Sequence, residues 1–228
     1  MKNCCKYIED FKVSGLWNQR LTSNAAENGH LHCLIYAHEH GCPWHEGTTL
    51  HAAQNGQLDC IKYAHENGCP WNERATLNAA YNGHLDCLKY THENGCSWHQ
   101  YTTLVAAENG HLDCLKYAHE NGCPWHRYTT SYAAYNGHLD CLKFSHQNGC
   151  PLNEQLTLSN LEIFFSKINL DDKWWRSFLF DKDLTTHLKL NLLVHTKKQE
   201  IKNLQEKSTL LFSYISKDLT KYILWTYL

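Results

Sequence analysis

The chain has 228 residues and a formal net charge of −2 at pH 7. Hydrophobic residues make up 43% of it and aromatic residues 12%, which is enough for a buried core and excludes a wholly disordered chain. It contains no run of about 20 apolar residues, and its first residues lack the apolar stretch of a secretory signal. The sequence therefore predicts a protein that neither crosses a membrane nor is secreted.

Charge is distributed unevenly along the chain. Residues 1–166 contain 10 Lys/Arg and 16 Asp/Glu, whereas residues 167–228 contain 11 and 7. The resulting negative charge of the first part opposes contact with the phosphate backbone of nucleic acid. We therefore expect no nucleic-acid partner.

The first segment, residues 1–20, is a worn copy of the units that follow. Lys6-Tyr7 and Gly15-Leu16-Trp17 match parts of a later helix and its turn. Terminal units of repeat proteins cover the exposed end of the stack. We interpret this segment as a degenerate half-repeat that caps the N-terminus.

Residues 21–155 consist of five copies of a 27-residue unit. A fixed period of this size is typical of a solenoid, in which each unit packs only against its neighbours. Two rows of cysteines follow the period, so we interpret them as buried thiols of a reduced, cytoplasmic protein and not as a disulfide framework. The rows are Cys33, Cys60, Cys87, Cys114 and Cys141, and Cys42, Cys69, Cys96, Cys123 and Cys150.

Each unit predicts two short helices. In the second unit, Thr48 or Thr49 is expected to cap the first helix, and Gly56 to end it in the left-handed conformation. The second helix is expected over residues 58–67, with Asp59 at its positive end. The recurring tryptophan should pack across the joint to the next unit. The positions that we assign to the framework are Trp44, Trp71, Trp98, Trp125, Gly56, Gly83, Gly110 and Gly137.

The period fades after the fifth unit. Residues 156–170 are interpreted as a degenerate repeat, and residues 171–228 as a helical C-terminal segment. Trp174, Trp175 and Phe178 are suited to cover the last exposed face of the stack.

The unit resembles the ankyrin motif. Residues 48–68 read TTLHAAQNGQLDCIKYAHENG, which is similar to a Thr-Pro-Leu-His-x-Ala-Ala helix followed by a Gly turn and a second apolar helix. Ankyrin repeats have about 33 residues, and the six missing here fall where ankyrins carry a β-hairpin finger. The spacing and the Gly-Cys-Pro-Trp signature resemble the short ankyrin-like repeats of giant DNA viruses of amoebae. The resemblance implies an all-α ankyrin-like solenoid without fingers, and a viral, monomeric protein that binds host proteins in the cytoplasm.

Positions that differ between units are free of the demands of stacking and are available to a partner. On the first helix they stand three residues apart and share one face. Others lie in the loop between units. The candidate partner-binding residues are His51, Gln54, Arg74, Asn78, Tyr81, Tyr101, Val105, Glu108, Arg127, Tyr128, Tyr132 and Tyr135.

Metal binding is an alternative reading, because three units contain a Cys-x-x-His pair, and two such pairs could hold zinc. The pairs are Cys42 with His45, Cys96 with His99, and Cys123 with His126. Asn replaces the histidine in the other two units, so buried thiols are the preferred interpretation. A second histidine row, from His38 to His146, is interpreted as a stacking contact at the end of each second helix.

We expect no enzymatic activity and no cofactor. A Cys beside a His could act as nucleophile and base, but here the same pair recurs, whereas a catalytic site is a single constellation. The sequence contains no glycine-rich phosphate loop or hydrolase motif.

The last residues are similar to the opening helix of an F-box, whose pattern is Leu-Pro-x-Glu-Leu followed by Ile-Leu-x-x-Leu. That resemblance implies a second function, as an adaptor that recruits substrates to a cullin ubiquitin ligase. It assigns the adaptor contact to Asp218, Leu219, Ile223, Leu224 and Leu228. The other interpretation is a helix that only packs against the repeats.

Overall fold

The structure, a computed structural model, describes residues 20–151 and 204–208. The chain divides into two compact units, Met1–Leu156 and Thr157–Leu228. Residues 20–151 of the first unit contain five helix pairs; in the second unit, residues 204–208 are helical. The pairs are α1 (Arg20–Glu27) and α2 (Leu31–Glu39), α3 (Thr48–Gln54) and α4 (Leu58–Glu66), α5 (Arg74–Tyr81) and α6 (Leu85–Glu93), α7 (Thr102–Glu108) and α8 (Leu112–Glu120), and α9 (Thr129–Asn136) and α10 (Leu139–Gln147).

The helix pairs stack in two layers. First helices α1, α3, α5, α7 and α9 pack against one another in chain order, and so do second helices α2, α4, α6, α8 and α10. Across the described residues all regular structure is helical, and the loops between repeats contain no strand. The predicted all-α repeat fold without β-hairpin fingers is therefore confirmed for this part. The predicted caps, at residues 1–20 and 171–228, and the degenerate repeat at 156–170 lie outside the described residues, apart from Arg20 and 204–208.

The core is built from one large aliphatic residue per repeat and pairs of alanines. Each aliphatic residue is fully buried, and burial of such a side chain stabilises the fold by about 1.5–3 kcal/mol. Alanine pairs such as Ala52-Ala53 have no exposed surface and allow the neighbouring first helices to approach closely. The aliphatic row is Leu34, Ile61, Leu88, Leu115 and Leu142.

The recurring threonines do not cap the first helices, which corrects the prediction. Thr48 and Thr49 lie inside α3 and are fully buried. The N-cap residue is Gly47, which has no side chain and so makes no side-chain capping hydrogen bond. Thr49 Oγ1 instead donates to the carbonyl of Pro70, 3.4 Å away in the following loop. The same bond recurs at 3.1 Å from Thr130 to Pro151. The hydroxyl thus fastens each first helix to the loop that leads into the next repeat.

Each tryptophan joins two repeats. Trp71 stacks on His65 of its own repeat, with ring centroids 4.4 Å apart, and meets the edge of Tyr90 in the next repeat at 6.4 Å. Its Nε1–H donates to the carbonyl of Asn94 at 2.8 Å, which satisfies an acceptor left free at the end of α6. Trp44, Trp98 and Trp125 make the equivalent bond. The histidines of the row from His38 to His119 stack in the same way.

Gly56 serves both its own turn and the next repeat. Its φ of +70° is a left-handed conformation that side chains disfavour. A Cβ at this position would also lie 2.8 Å from Nδ1 of His84, because that ring covers the glycine from the following repeat. His111 and His138 cover Gly83 and Gly110 in the same manner.

Nine cysteines of the two rows are buried thiols outside any disulfide: Cys42, Cys60, Cys69, Cys87, Cys96, Cys114, Cys123, Cys141 and Cys150. Burial raises the pKa of Cys69 to about 11 and that of Cys87 to about 12, so both stay protonated and unreactive at neutral pH. Cys33 is disulfide-bonded. That residue departs from the prediction of a fully reduced chain.

Candidate partner-binding face

The varying positions of the first helices leave their side chains at least partly accessible. In α5, Asn78 is half-buried and Tyr81, one turn further, is exposed. In α9 the two equivalent positions are Tyr132 and Tyr135, with 39% and 51% of their surface exposed. In α7 they are Val105 and Glu108, both half-buried. These side chains stand on one side of the first-helix layer because residues three apart on a helix are neighbours.

Tyrosine dominates the exposed part of this side. Within residues 20–151, the exposed large hydrophobic side chains are Tyr81, Tyr101, Tyr132 and Tyr135. All four stand at positions predicted from their variation between repeats. A phenol ring offers apolar area together with a hydroxyl, and such residues contribute strongly to protein interfaces.

Toward the N-terminal repeats the same side is polar and partly bonded to itself. Ser23 Oγ and His51 Nδ1 are 2.7 Å apart, which links the first two repeats. Asn78 Nδ2 donates to Gln54 Oε1 at 3.2 Å and links the next pair. A partner would have to replace these bonds, so this end is the less favourable place for tight binding.

In the loop before each of α3, α5, α7 and α9, a side chain accepts a hydrogen bond from the backbone N–H two residues ahead. His99 Nδ1 accepts from the backbone N–H of Tyr101, and His126 Nδ1 from that of Tyr128, each at 3.3 Å. At the corresponding place Asn72 Oδ1 accepts from the N–H of Arg74 at 2.9 Å. Histidine and asparagine are interchangeable here because either one supplies the acceptor. This explains the His-to-Asn replacement without a metal.

Five aromatic rings from repeats 3 to 5 follow one another along this loop edge. His99 lies 5.5 Å from Tyr101, Tyr101 lies 4.9 Å from His126, and His126 lies 5.4 Å from Tyr128. Tyr128 then lies 6.5 Å from Tyr132 on α9. We call this set the ring row. It connects three of the predicted partner residues, Tyr101, Tyr128 and Tyr132, through two histidines that the sequence suggested only as zinc ligands.

Charge at the ring row is sparse. The Arg127 guanidinium lies over the Tyr128 ring at 4.6 Å, a cation–π contact. Partial burial lowers the pKa of His126, and the positive charge of Arg127 lowers it further. The imidazole is therefore neutral at pH 7, and Arg127 supplies the charge of this edge. Arg74 stands exposed at the loop position that Tyr101 and Tyr128 occupy in later repeats.

No three His, Cys, Asp or Glu side chains gather as a metal-ligand set in the described part of the chain. None of the helices in residues 20–151 and 204–208 has the length and apolar character needed to cross a bilayer. The predicted adaptor residues, from Asp218 to Leu228, lie outside the described residues.

Comparison with known proteins identifies the repeats. Residues 76–155 match a family model described as ankyrin repeats in three copies, and residues 50–92 match one described as ankyrin repeats in many copies. No curated protein sequence matches the chain. Among solved structures, the human ASB11 ankyrin repeat domain is similar, with a TM-score of 0.52 and 18% identity over 76% of this chain and 96% of that one. Residues 50–155 are therefore recognised as ankyrin repeats, and the spacing of about 27 residues fits the helix pairs of the structure.

Proposed function

We propose that the protein is a non-enzymatic scaffold that binds a protein partner through the first-helix side of repeats 3 to 5 and the loops beside it. Ankyrin repeats indicate a protein–protein interaction scaffold. The proposed location rests on the exposed tyrosines, which stand at positions that vary between repeats. The joints between repeats, in contrast, are made by residues that recur from repeat to repeat. Framework and binding surface are thereby built from different residues.

Binding at this surface would bury several phenol rings at once. A few such residues usually carry most of the free energy of an interface, and each costs more than about 1 kcal/mol when it is truncated. We further propose a viral protein that acts as a monomer on host proteins in the cytoplasm, on the strength of the 27-residue repeat and its Gly-Cys-Pro-Trp signature.

The test is quantitative affinity purification from an amoebal lysate with matched variants. The surface variant combines Tyr81→Gln, Tyr132→Asn and Tyr135→Gln, which copy residues found at the same positions in other repeats and should leave folding intact. The control combines Asp86→Asn and Asp113→Asn on the exposed side of the second helices. We expect the surface variant to lose at least about tenfold of the captured partner and the control to retain it. Equal capture by both variants, with equal thermal stability, would refute the location.

The second candidate function is recruitment of substrates to a cullin ubiquitin ligase. It rests on the F-box-like pattern of Asp218, Leu219, Ile223, Leu224 and Leu228 in the sequence. Purification of the full-length chain beside a 1–207 truncation tests it. A ligase adaptor that co-purifies only with the full-length chain supports the role, and its absence from both purifications removes it.

A further inference from the structure

We propose that the ring row binds an extended, proline-rich protein segment that carries an acidic residue beside its prolines. This inference rests on the proposed function, because it names the chemistry of the partner for one part of the same surface. It concerns His99, Tyr101, His126, Tyr128 and Tyr132.

The first argument is the kind of surface. Proline-rich segments adopt the polyproline II helix, which leaves its carbonyls solvated and its proline rings exposed. Domains that recognise them do so with aromatic-lined surfaces, and the preformed helix loses little entropy on binding. The ring row offers five consecutive aromatic rings. Tyr101 has 40% of its surface exposed, and Tyr132 has 39%, so stacking area and hydroxyl donors are both accessible.

The second argument is the spacing of the rings. Tyr101 and Tyr128 occupy the same position in successive repeats and are joined through His126 by steps of 4.9 and 5.4 Å. Their centroids are thus no more than about 10 Å apart, in keeping with the 8–10 Å between packed helices. Three residues of a polyproline II helix rise about 9 Å. Every third residue of the segment can therefore meet the equivalent ring of the next repeat.

The third argument is charge. Within the described residues, Arg127 makes the cation–π contact with Tyr128 but no ion pair, so its charge is available to an anionic partner group. The equivalent residues of the earlier repeats are Glu46, Glu73 and Gln100. Glu154 stands at the same position in repeat 5, so Arg127 is the one cationic residue of this position, which favours a segment whose acidic residue lies over Arg127. The glutamates oppose a nucleic acid, whose phosphates are negative throughout.

The test uses synthetic probes, not an unidentified partner. Fluorescent peptides of about ten prolines, long enough to span the row, carry two aspartates or two lysines at either end. A Gly/Ser peptide with the same aspartates and a single-stranded oligouridine are the comparison probes. Binding to the full-length protein is measured by fluorescence anisotropy. We expect the aspartate–proline peptide to bind at least about tenfold more tightly than each comparison probe and than the lysine version.

Two variants assign the binding to the row. Tyr101→Ser combined with Tyr128→Ser should abolish peptide binding, because it removes the equivalent rings of two repeats. Arg127→Glu copies the residue at Glu73, and it should reverse the preference from the aspartate peptide to the lysine peptide. A matched control, Glu120→Gln, changes an exposed charge of α8 and should leave binding unchanged.

Several results would overturn the inference. They are absence of peptide binding, equal binding of the Gly/Ser peptide, stronger binding of the oligouridine, or an affinity that the serine variant retains. The surface variant of the affinity purification could lose a protein partner while no proline peptide binds to the protein. That result would refute this inference and still support the proposed function. If the tyrosine variants keep the captured partner and the serine variant keeps its affinity for the peptide, both the proposed function and this inference are wrong.

Discussion

The double role of the glycine that ends each first helix can be tested by placing a methyl group on it. Gly83 has a φ of +75°, and a Cβ there would lie 2.5 Å from Nδ1 and 2.7 Å from Cε1 of His111 in the next repeat. Gly68 is its matched control. It has a φ of +81°, but a Cβ there would meet nothing within 4 Å.

The two alanine variants should differ by the cost of the contact between repeats. A left-handed conformation costs an alanine about 1–2 kcal/mol, so Gly68→Ala should lower the free energy of unfolding by that amount. Gly83→Ala carries the same conformational cost. It also forces the His111 ring out of its packed position, and overpacking of this kind adds about 1–3 kcal/mol. The expected total for Gly83→Ala is about 2–5 kcal/mol.

Urea unfolding followed by far-UV circular dichroism measures both costs. The double variant Gly83→Ala with His111→Ala completes a cycle: without the ring, the alanine should cost only as much as at the control position. Equal destabilisation by Gly83→Ala and Gly68→Ala would refute the reasoning, because it would mean that the ring moves aside without loss.

Three further predictions follow from the joints. Trp71→Ala should lower the free energy of unfolding by about 2–3 kcal/mol in the same assay, because it removes a half-buried ring and its bond to Asn94. A fully buried tryptophan would cost about 3–5 kcal/mol. Burial and the neighbouring histidines lower the pKa of His111, so the unfolded chain binds more protons and stability should fall as the pH drops below about 6.5. The fall, measured by urea unfolding at several pH values, should be smaller in His111→Gln. Finally, His99→Asn should keep its stability within about 0.5 kcal/mol, since Asn72 plays that role, whereas His99→Ala should lose about 1 kcal/mol in thermal unfolding.

The period of the sequence was sufficient to predict the fold. A residue that recurs every 27 positions makes the same contact in every unit. The apolar pattern, with Asn-Gly at the helix ends, therefore predicted a helix pair in each unit. The second helix was expected over residues 58–67 and is found at Leu58–Glu66, with Asp59 in its first turn. The direction of the tryptophans across the joints was also predicted correctly, because they follow the helix-ending glycine and proline.

Periodicity does not reveal which way a polar side chain points, and the remaining differences follow from that. Thr49 was expected at a helix end because hydroxyls are common there, yet its partner is a carbonyl 21 residues away. His126 was considered as a zinc ligand through its spacing from a cysteine, but it accepts a backbone bond and joins two tyrosine rings. The row of His84, His111 and His138 was not singled out at all. Gln57 breaks it, and only the three-dimensional stack places each ring on the glycine of the preceding repeat.

The bonds that cross each joint have a consequence for how such a chain can change length. The Thr-to-Pro bond spans 21 residues and the Trp-to-Asn bond spans 23 at successive joints. Within residues 20–148, removal or duplication of 27 residues therefore restores both kinds of bond with an equivalent donor and acceptor. Unequal recombination within the gene can shorten, lengthen or reorder the array without creating an unsatisfied joint. Each such event places a different combination of surface residues side by side, so new binding surfaces can arise in single steps rather than by successive point substitutions.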